Sequence, residues 1–186
     1  VFYYFEGFAQ YMKKENEAAL QTFKKGVAQI KPDSDPNIVS DFYAVMGDIL
    51  HEKGLEKQAF EAYDSCLHWR PDNLSALNNY AYYLSLTKSD LKKAELMSYK
   101  TIKKEPTNST FLDTYAWILF LQGRYEEANT YIEQAIKNDS TPSGTLFEHA
   151  GDIYYQAGKP EAALEAWQKA LQLGNNSATL RKKINL

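Results

Sequence analysis

The sequence predicts an all-α chain of five helical hairpins closed by a short C-terminal helix. Three observations lead there. Small residues recur as Gly7, Gly47, Ala81, Ala116 and Gly151, at spacings of 40, 34, 35 and 35. A second series, Ala19, Ala59, Ala94, Ala128 and Ala163, trails the first by 12 residues, or 13 in the third repeat. A third, Gly26, Cys66, Thr101, Ala135 and Ala170, lies seven residues further on. Self-similarity at this period marks a repeat architecture. Apolar residues between the columns have helical spacing, and no convincing β alternation or hairpin turn pair occurs. The chain is 186 residues, 44% apolar and 24% charged, a globular composition that excludes disorder as a class.

The repeats are expected at about 1–33, 40–73, 74–108, 109–142 and 144–177, with a cap at 178–186, all in a single domain. In the first, VFYYFEGF is apolar around nearly the whole helix and wants cover on more than one side. Phe2, Tyr4, Phe5 and Phe8 therefore form a candidate end interface, for a partner or for a homodimer; a preceding repeat cut away would leave the same face. The linker after it has six extra residues around Lys31–Ser40. Within it Asp33-Ser-Asp-Pro-Asn37 alternates oxygen ligands like a calcium loop, but Ile38 and Ala44 replace the required Gly and Glu, so it reads as a turn.

In the second repeat Phe42, Tyr43, Met46, Ile49 and Leu50 make one helical face before Gly54 stops the helix. Ala59, Phe60, Tyr63, Cys66 and Leu67 make the next, and Pro71 ends it. The third repeat carries one extra residue in its inner turn, around Thr87–Asp90. Its Lys88, Lys92, Lys93, Lys100, Lys103 and Lys104 read first as a solvated face, with an acidic partner or nucleic acid as the other reading. Gly123 and Gly158 stop the first helices of the fourth and fifth repeats, and Pro160 suits a first helical turn. Asp72, Asn73, Asn108 and Ser109 supply caps between repeats. Leu180 and Ile184, four apart with Arg181, Lys182 and Lys183 between, suit the capping helix. Phe23, Tyr63, Ile132 and Trp167 sit four after the alanine series; Ser98 breaks that column. The small residues let paired helices approach to about 8–10 Å.

The pattern resembles the tetratricopeptide repeat (TPR) family, over about residues 2–175. Leu112 to Ala135, LDTYAWILFLQGRYEEANTYIEQA, carries nearly the whole motif, and Gly47 to Pro71 carries it as well. Glu6 and Gln10 depart from it, standing where large apolar residues are usual. The resemblance implies a right-handed α-α superhelix, a TPR solenoid, that binds extended peptides or partner helices on its first-helix side. A weaker likeness, in the pairing of Asn78–Leu84 with Phe111–Ala128, is to bacterial cell-envelope TPR proteins. The compartment itself stays undecided.

On that implied fold, positions −6, −3, +1, +4 and +5 from each small first-helix residue face the groove, from Val1 through Gln156. They hold six of the chain's 24 acidic residues, Asp41, Asp48, Glu52, Asp113, Glu148 and Asp152, and none of its 21 basic ones. The candidate peptide-groove residues are Asp48, His51, Asn78, Tyr82, Asp113, Trp117, Phe120, Glu148, Asp152 and Tyr155. Tyr82, Trp117, Phe120 and Tyr155 would seat apolar anchors, and Asp113, Glu148 and Asp152 would choose basic side chains. Asn78 and Asn79 have the chemistry to hold a peptide backbone. Packing of the aromatics between repeats and simple solubility from the acids form the competing reading. The TPR subclass that grips acidic chaperone tails with Lys and Arg is rejected, because Ala44, Asp48, Thr110 and Thr114 stand where bases are needed.

No catalytic, cofactor-binding or metal site is expected, and the chain is not read as an enzyme. His51 and His68 fall on different predicted helices of the second repeat and His149 in the fifth, and HExxH, P-loop, GxGxxG and CxxC motifs are absent. Cys66, the one cysteine, excludes an internal disulfide and reads as packing. Asp48, His51 and Glu52 share a helix face that reads as polar surface before metal site. Asn-x-Ser/Thr triplets at Asn73, Asn108, Asn138 and Asn175 read as caps before glycosylation sites. A net charge of −3 argues against a dedicated nucleic-acid binder. The longest apolar run, Tyr115 to Leu121, is far short of a membrane span. The expected role is a noncatalytic protein-interaction scaffold. The alternatives are a regulatory or substrate-recruiting module of a larger enzyme, and self-association through the aromatic first helix. Residue 1 is Val, so the chain reads as a fragment or processed form.

Overall fold

Among residues 2–185, which the computed structural model describes, every regular element is a helix. Val1, the first groove position, and Leu186, the last residue of the cap, lie outside the described residues. The helices are α1 (Phe2–Met12), α2 (Asn16–Val27), α3 (Pro36–Glu52), α4 (Glu56–Trp69), α5 (Leu74–Thr87), α6 (Leu91–Lys104), α7 (Ser109–Leu121), α8 (Tyr125–Asn138), α9 (Gly144–Gln156), α10 (Pro160–Gln172) and α11 (Ala178–Ile184). They fall into two bodies, residues through Tyr83 and residues from Leu84 onward, divided within α5.

One backbone device makes each hairpin. Lys14, Gly54, Lys88, Gly123 and Gly158 all have positive φ, and each stands seven residues after its small first-helix residue. Around Gly123, the Gly123 N–H donates to Phe120 O at 2.9 Å and the Arg124 N–H to Leu119 O at 3.0 Å. These paired bonds close a helix end in the Schellman manner. Lys14 and Glu15 repeat them onto Tyr11 and Gln10, at 2.8 and 2.9 Å. A side chain in this conformation costs about 1–2 kcal/mol. The glycine stops were legible; the two lysines in the same role were not.

The turn is so short that α2, α4, α8 and α10 begin without a side-chain cap. The extra residue of the third repeat changes that, because Asp90 accepts from the Lys93 N–H at 2.9 Å and caps α6. Connections between repeats cap the first helices. Asp35 accepts from Asn37, Asn73 from Ala76, Asn108 from Phe111 and Ser143 from Leu146. The Asp33–Asn37 stretch is thus a turn leading through the Asp35 cap into the first residues of α3.

Packing follows a size rule. The small residue is Gly where the second helix offers a ring and Ala where it offers Ile132. A Cβ added at Gly7 would lie 2.5 Å from Phe23 Cε1, at Gly47 2.8 Å from Tyr63 Cζ, and at Gly151 2.2 Å from Trp167 Cδ1. In the N-terminal body α2 packs on α1 and α3, and α3 on α4. In the C-terminal body successive helices from α6 to α11 pack on one another. Leu180 of α11 is fully buried against Ala163, Trp167 and Ala170, with Ile184 beside them. Cys66 is buried, 3.2 Å from Ser40 Oγ, which accepts from Asn73 Nδ2 at 3.0 Å. Burial pushes its thiol up to about 11, so it is a packing residue.

Candidate functional site

The N-terminal body holds a groove of about 530 Å³ along α3 and the start of α5. Its floor is Ala44, Val45, Leu74 and Ala76, one wall is Tyr4 and Phe8, and Asp41, Asp48 and Asp72 bring carboxylates against one base, Arg70. Arg70 lies 3.8 Å from Asp72. Asp41 and Asp48 are seven residues apart, two turns along α3, so both reach the same groove. The Tyr4 hydroxyl donates to Asp41 at 3.1 Å. Asp48 accepts from the Tyr63 hydroxyl and from Asn79 Nδ2. Burial pushes the Asp48 carboxyl above its ordinary range, and these hydrogen bonds only partly offset it. Among the described residues neither Asp41 nor Asp48 has a cationic partner. An incompletely neutralised, half-buried carboxylate pair beside aromatic rings is chemistry for a cation.

The other candidates in this body are less open. His51 Nδ1 lies 2.9 Å from the Glu56 carboxylate, and its ring stacks 3.6 Å from Tyr83. Asn78 is buried, with an Oδ1 that has no hydrogen-bond partner among the described residues. Tyr82 is half-buried beside Tyr83. The aromatic residues of α1 divide: Phe2 and Phe5 are 73% and 67% exposed, while Tyr4 packs against Phe42 and Phe8 against Phe23.

In the C-terminal body most of the sequence-derived residues are engaged within the chain. Asp113 Oδ1 lies 2.8 Å from His149 Nδ1, and Trp117 stacks between His149, at 4.1 Å, and Phe120, at 4.9 Å. The Trp117 Nε1 is buried without a hydrogen-bond partner among the described residues. Asp152 accepts from Trp167 Nε1 at 3.0 Å, repeating the Asp48–Tyr63 arrangement one acid after the small residue. Lys183 of α11 reaches both Glu148, at 2.9 Å, and Asp152, at 2.8 Å. Burial pushes the Glu148 carboxyl up, but its bonds from Lys183 and Asn175 outweigh that and hold it below the usual range. The basic partner expected from a ligand is here supplied by the protein. Tyr155 remains 50% exposed.

Sequence reasoning missed Lys183 and His149 as members of this face. Lys183 stands 35 residues after Glu148, so extending the repeat period past the fifth repeat would have found it. It put Tyr4 and Phe8 both on the groove face and at an end interface, but left the Tyr4–Asp41 pairing unseen. Among the described residues no group of three His, Cys, Asp or Glu is arranged to hold a metal ion, and no helix is long and apolar enough to cross a membrane.

Two family models described as tetratricopeptide repeat match the chain, over residues 116–178 and 40–73, together more than half of it. The type IV pilus assembly protein PilF of Pseudomonas aeruginosa is 26% identical over 152 residues, 81% of this chain and 60% of PilF. Other curated relatives are longer still, and the chain spans 15%, 32% and 14% of three of them. A solved structure of Pseudomonas aeruginosa pilF superposes with TM-score 0.76 at 18% identity, covering 98% of this chain and 86% of that one. A thermophilic TPR protein of Thermus thermophilus, TTC0263, superposes with TM-score 0.71 at 17% identity, covering 96% and 93%. These likenesses fix the fold class as the TPR solenoid.

Proposed function

The chain belongs to the tetratricopeptide repeat family, and on that premise we propose that it is a noncatalytic protein-interaction scaffold. Its ligand is a peptide or helix carrying basic side chains around an apolar anchor. The observation that carries this reading is the Asp41–Asp48 pair, without a cationic partner among the described residues and walled by Tyr4 and Phe8. A lysine or arginine side chain there would lay its methylenes on the rings and its charge between the carboxylates. In the C-terminal body Trp117, Phe120 and Tyr155 are the aromatic residues offered to the same kind of ligand, while Asp113 is already held by His149. PilF's name assigns that relative to an assembly process, which favours a role inside a multiprotein assembly and a bacterial cell envelope as the first compartment to examine.

Fluorescence anisotropy tests this with a labelled peptide placing two lysines around a phenylalanine, against the same peptide with glutamates. Wild type should prefer the lysine peptide by tenfold or more, and Asp41→Asn/Asp48→Asn should remove the preference. Equal binding of the two peptides, or tighter binding of the acidic one, contradicts the reading. Self-association is a second reading, favoured by exposure of 73% at Phe2, 67% at Phe5 and 78% at Met12. A sedimentation coefficient independent of concentration would refute it.

A further inference from the structure

We propose that the outer face of α6 is a second docking surface, and that it takes an acidic protein segment with an apolar side chain at its centre. The repeat register brings the face to notice. Two positions after the small residue of the second helix, the other repeats carry Gln21, Glu61, Thr130 and Glu165, all exposed. Five positions after it they carry Lys24, Asp64, Glu133 and Gln168, also exposed. In α6 these two places hold Leu96, 67% exposed, and Tyr99, 45% exposed. Solvent positions that are polar in four repeats are apolar in this one. The hairpin fold does not require that: Leu96 is 67% exposed, and Tyr99 keeps 45% of its surface exposed although its ring lies 6.0 Å from that of the buried Tyr115.

The charges around the pair say what would cover it. At 100° per residue, Lys92, Leu96, Tyr99, Lys100 and Lys103 fall within about 100° of one another on the helix surface. All three lysines are exposed, and Lys103 Nζ stands 5.8 Å from the Tyr99 ring centroid. The face carries no carboxylate, because the one acid of α6, Glu95, points to the other side, where it pairs with Arg124 at 2.6 Å and Gln122 at 2.9 Å. An apolar centre ringed by lysines is complementary to carboxylates ringing an apolar residue.

A duplex nucleic acid would meet phosphates with lysines but leave Leu96 without a partner. An anionic lipid surface would also meet the outer face of α8, where Glu126, Glu127 and Glu133 are exposed. A protein segment about as long as α6 satisfies both the charge and the apolar pair. This surface is separate from the Asp41–Asp48 groove, whose acids call for a ligand of opposite charge.

The test uses the whole chain and three probes: a labelled helical peptide with glutamates around a central Leu-Phe pair, a labelled 20-base-pair duplex, and vesicles with 30% anionic lipid. The acidic peptide should bind, at least tenfold more tightly than its glutamine counterpart. Lys92→Gln/Lys100→Gln/Lys103→Gln should weaken it tenfold or more. Leu96→Gln, which installs a residue of the kind the other repeats use and leaves the Tyr99–Tyr115 contact intact, should weaken it at least fivefold with unchanged circular dichroism and Tm. Asp41→Asn/Asp48→Asn should leave it unchanged, which separates this surface from the groove. The proposal is overturned if the acidic and glutamine peptides bind alike, if the α6 variants bind as wild type, or if only the duplex or the vesicles bind.

Discussion

Replacing Gly151 with alanine tests the size rule that spaces the helices of each hairpin. Alanine in a helix interior is favoured over glycine by about 0.8–1.0 kcal/mol, so intrinsic propensity alone makes Gly151→Ala stabilising. The structure opposes this. The new Cβ would lie 2.2 Å from Trp167 Cδ1 and 2.3 Å from Nε1, more than an ångström inside normal contact. Trp167 is 5% exposed, and its Nε1 donates to Asp152 at 3.0 Å, so the indole has no free direction to move. Overpacking costs about 1–3 kcal/mol, and loosening a hydrogen bond to a charged group about 1.5–3. The net expectation is a loss of about 2–4 kcal/mol in urea unfolding. A sign change separates the two effects. In a Trp167→Ile background, which mimics the natural Ala116–Ile132 pair, the same Gly151→Ala change should become neutral or stabilise by up to about 1 kcal/mol. A stabilising Gly151→Ala in the wild-type background, or an unchanged cost beside isoleucine, would refute the packing argument.

Other substitutions probe the turn, the cap and the thiol. Lys14→Gly relieves a φ of 61° and should raise stability by about 1 kcal/mol, while Gly123→Ala, at φ 78°, should lower it by a similar amount; both are read from urea midpoints. Lys183→Met strands Glu148 and Asp152 and should cost about 1–3 kcal/mol. The pH dependence has a defined sign. Glu148 is held below its ordinary range in the folded state, so its contribution is present above the unfolded-state carboxyl value and is lost as pH falls through the folded one. The thermal stability contributed by Glu148 should therefore fall on acidification below about pH 4.5, and Lys183→Met should flatten that slope. Cys66, buried with its thiol pushed up to about 11, should resist iodoacetamide at pH 7 until the protein is unfolded.

Much of the fold was legible because repeats repeat their constraints. The small columns, the glycine stops and the Asn73 and Asn108 caps each recur for a steric or hydrogen-bonding reason, and a reason that recurs can be read from spacing. The serine caps are Ser143 and Ser177, whereas Ser109, Asn138 and Asn175, read as caps from the sequence, lie at the start of α7, at the end of α8 and beside Glu148. Lys14 and Lys88 were not legible as turn residues, since local preference argues against lysine there and only the register demands it. The site was less legible. The offsets found Asp48, Trp117 and Asp152, but an offset gives a direction and not a partner. Tyr63 and Trp167 reach acids 15 residues earlier in the sequence, and Lys183 reaches back 35 to Glu148. These partnerships decide which carboxylates remain for a ligand, and they depend on side-chain reach that a face pattern does not encode. Leu96 and Tyr99 were hidden for a different reason: at helical spacing an apolar pair looks like core until the register places it outside.

The most direct measurement is a ¹H–¹⁵N titration of the whole chain with the lysine-phenylalanine peptide. Saturable shifts should concentrate at Tyr4, Phe8, Asp41, Ala44 and Asp48, with the Asn79 side-chain amide moving as Asp48 gains its cation. Shifts confined to other surfaces, or a spectrum unchanged at millimolar peptide, would contradict a cation-selecting groove on α3.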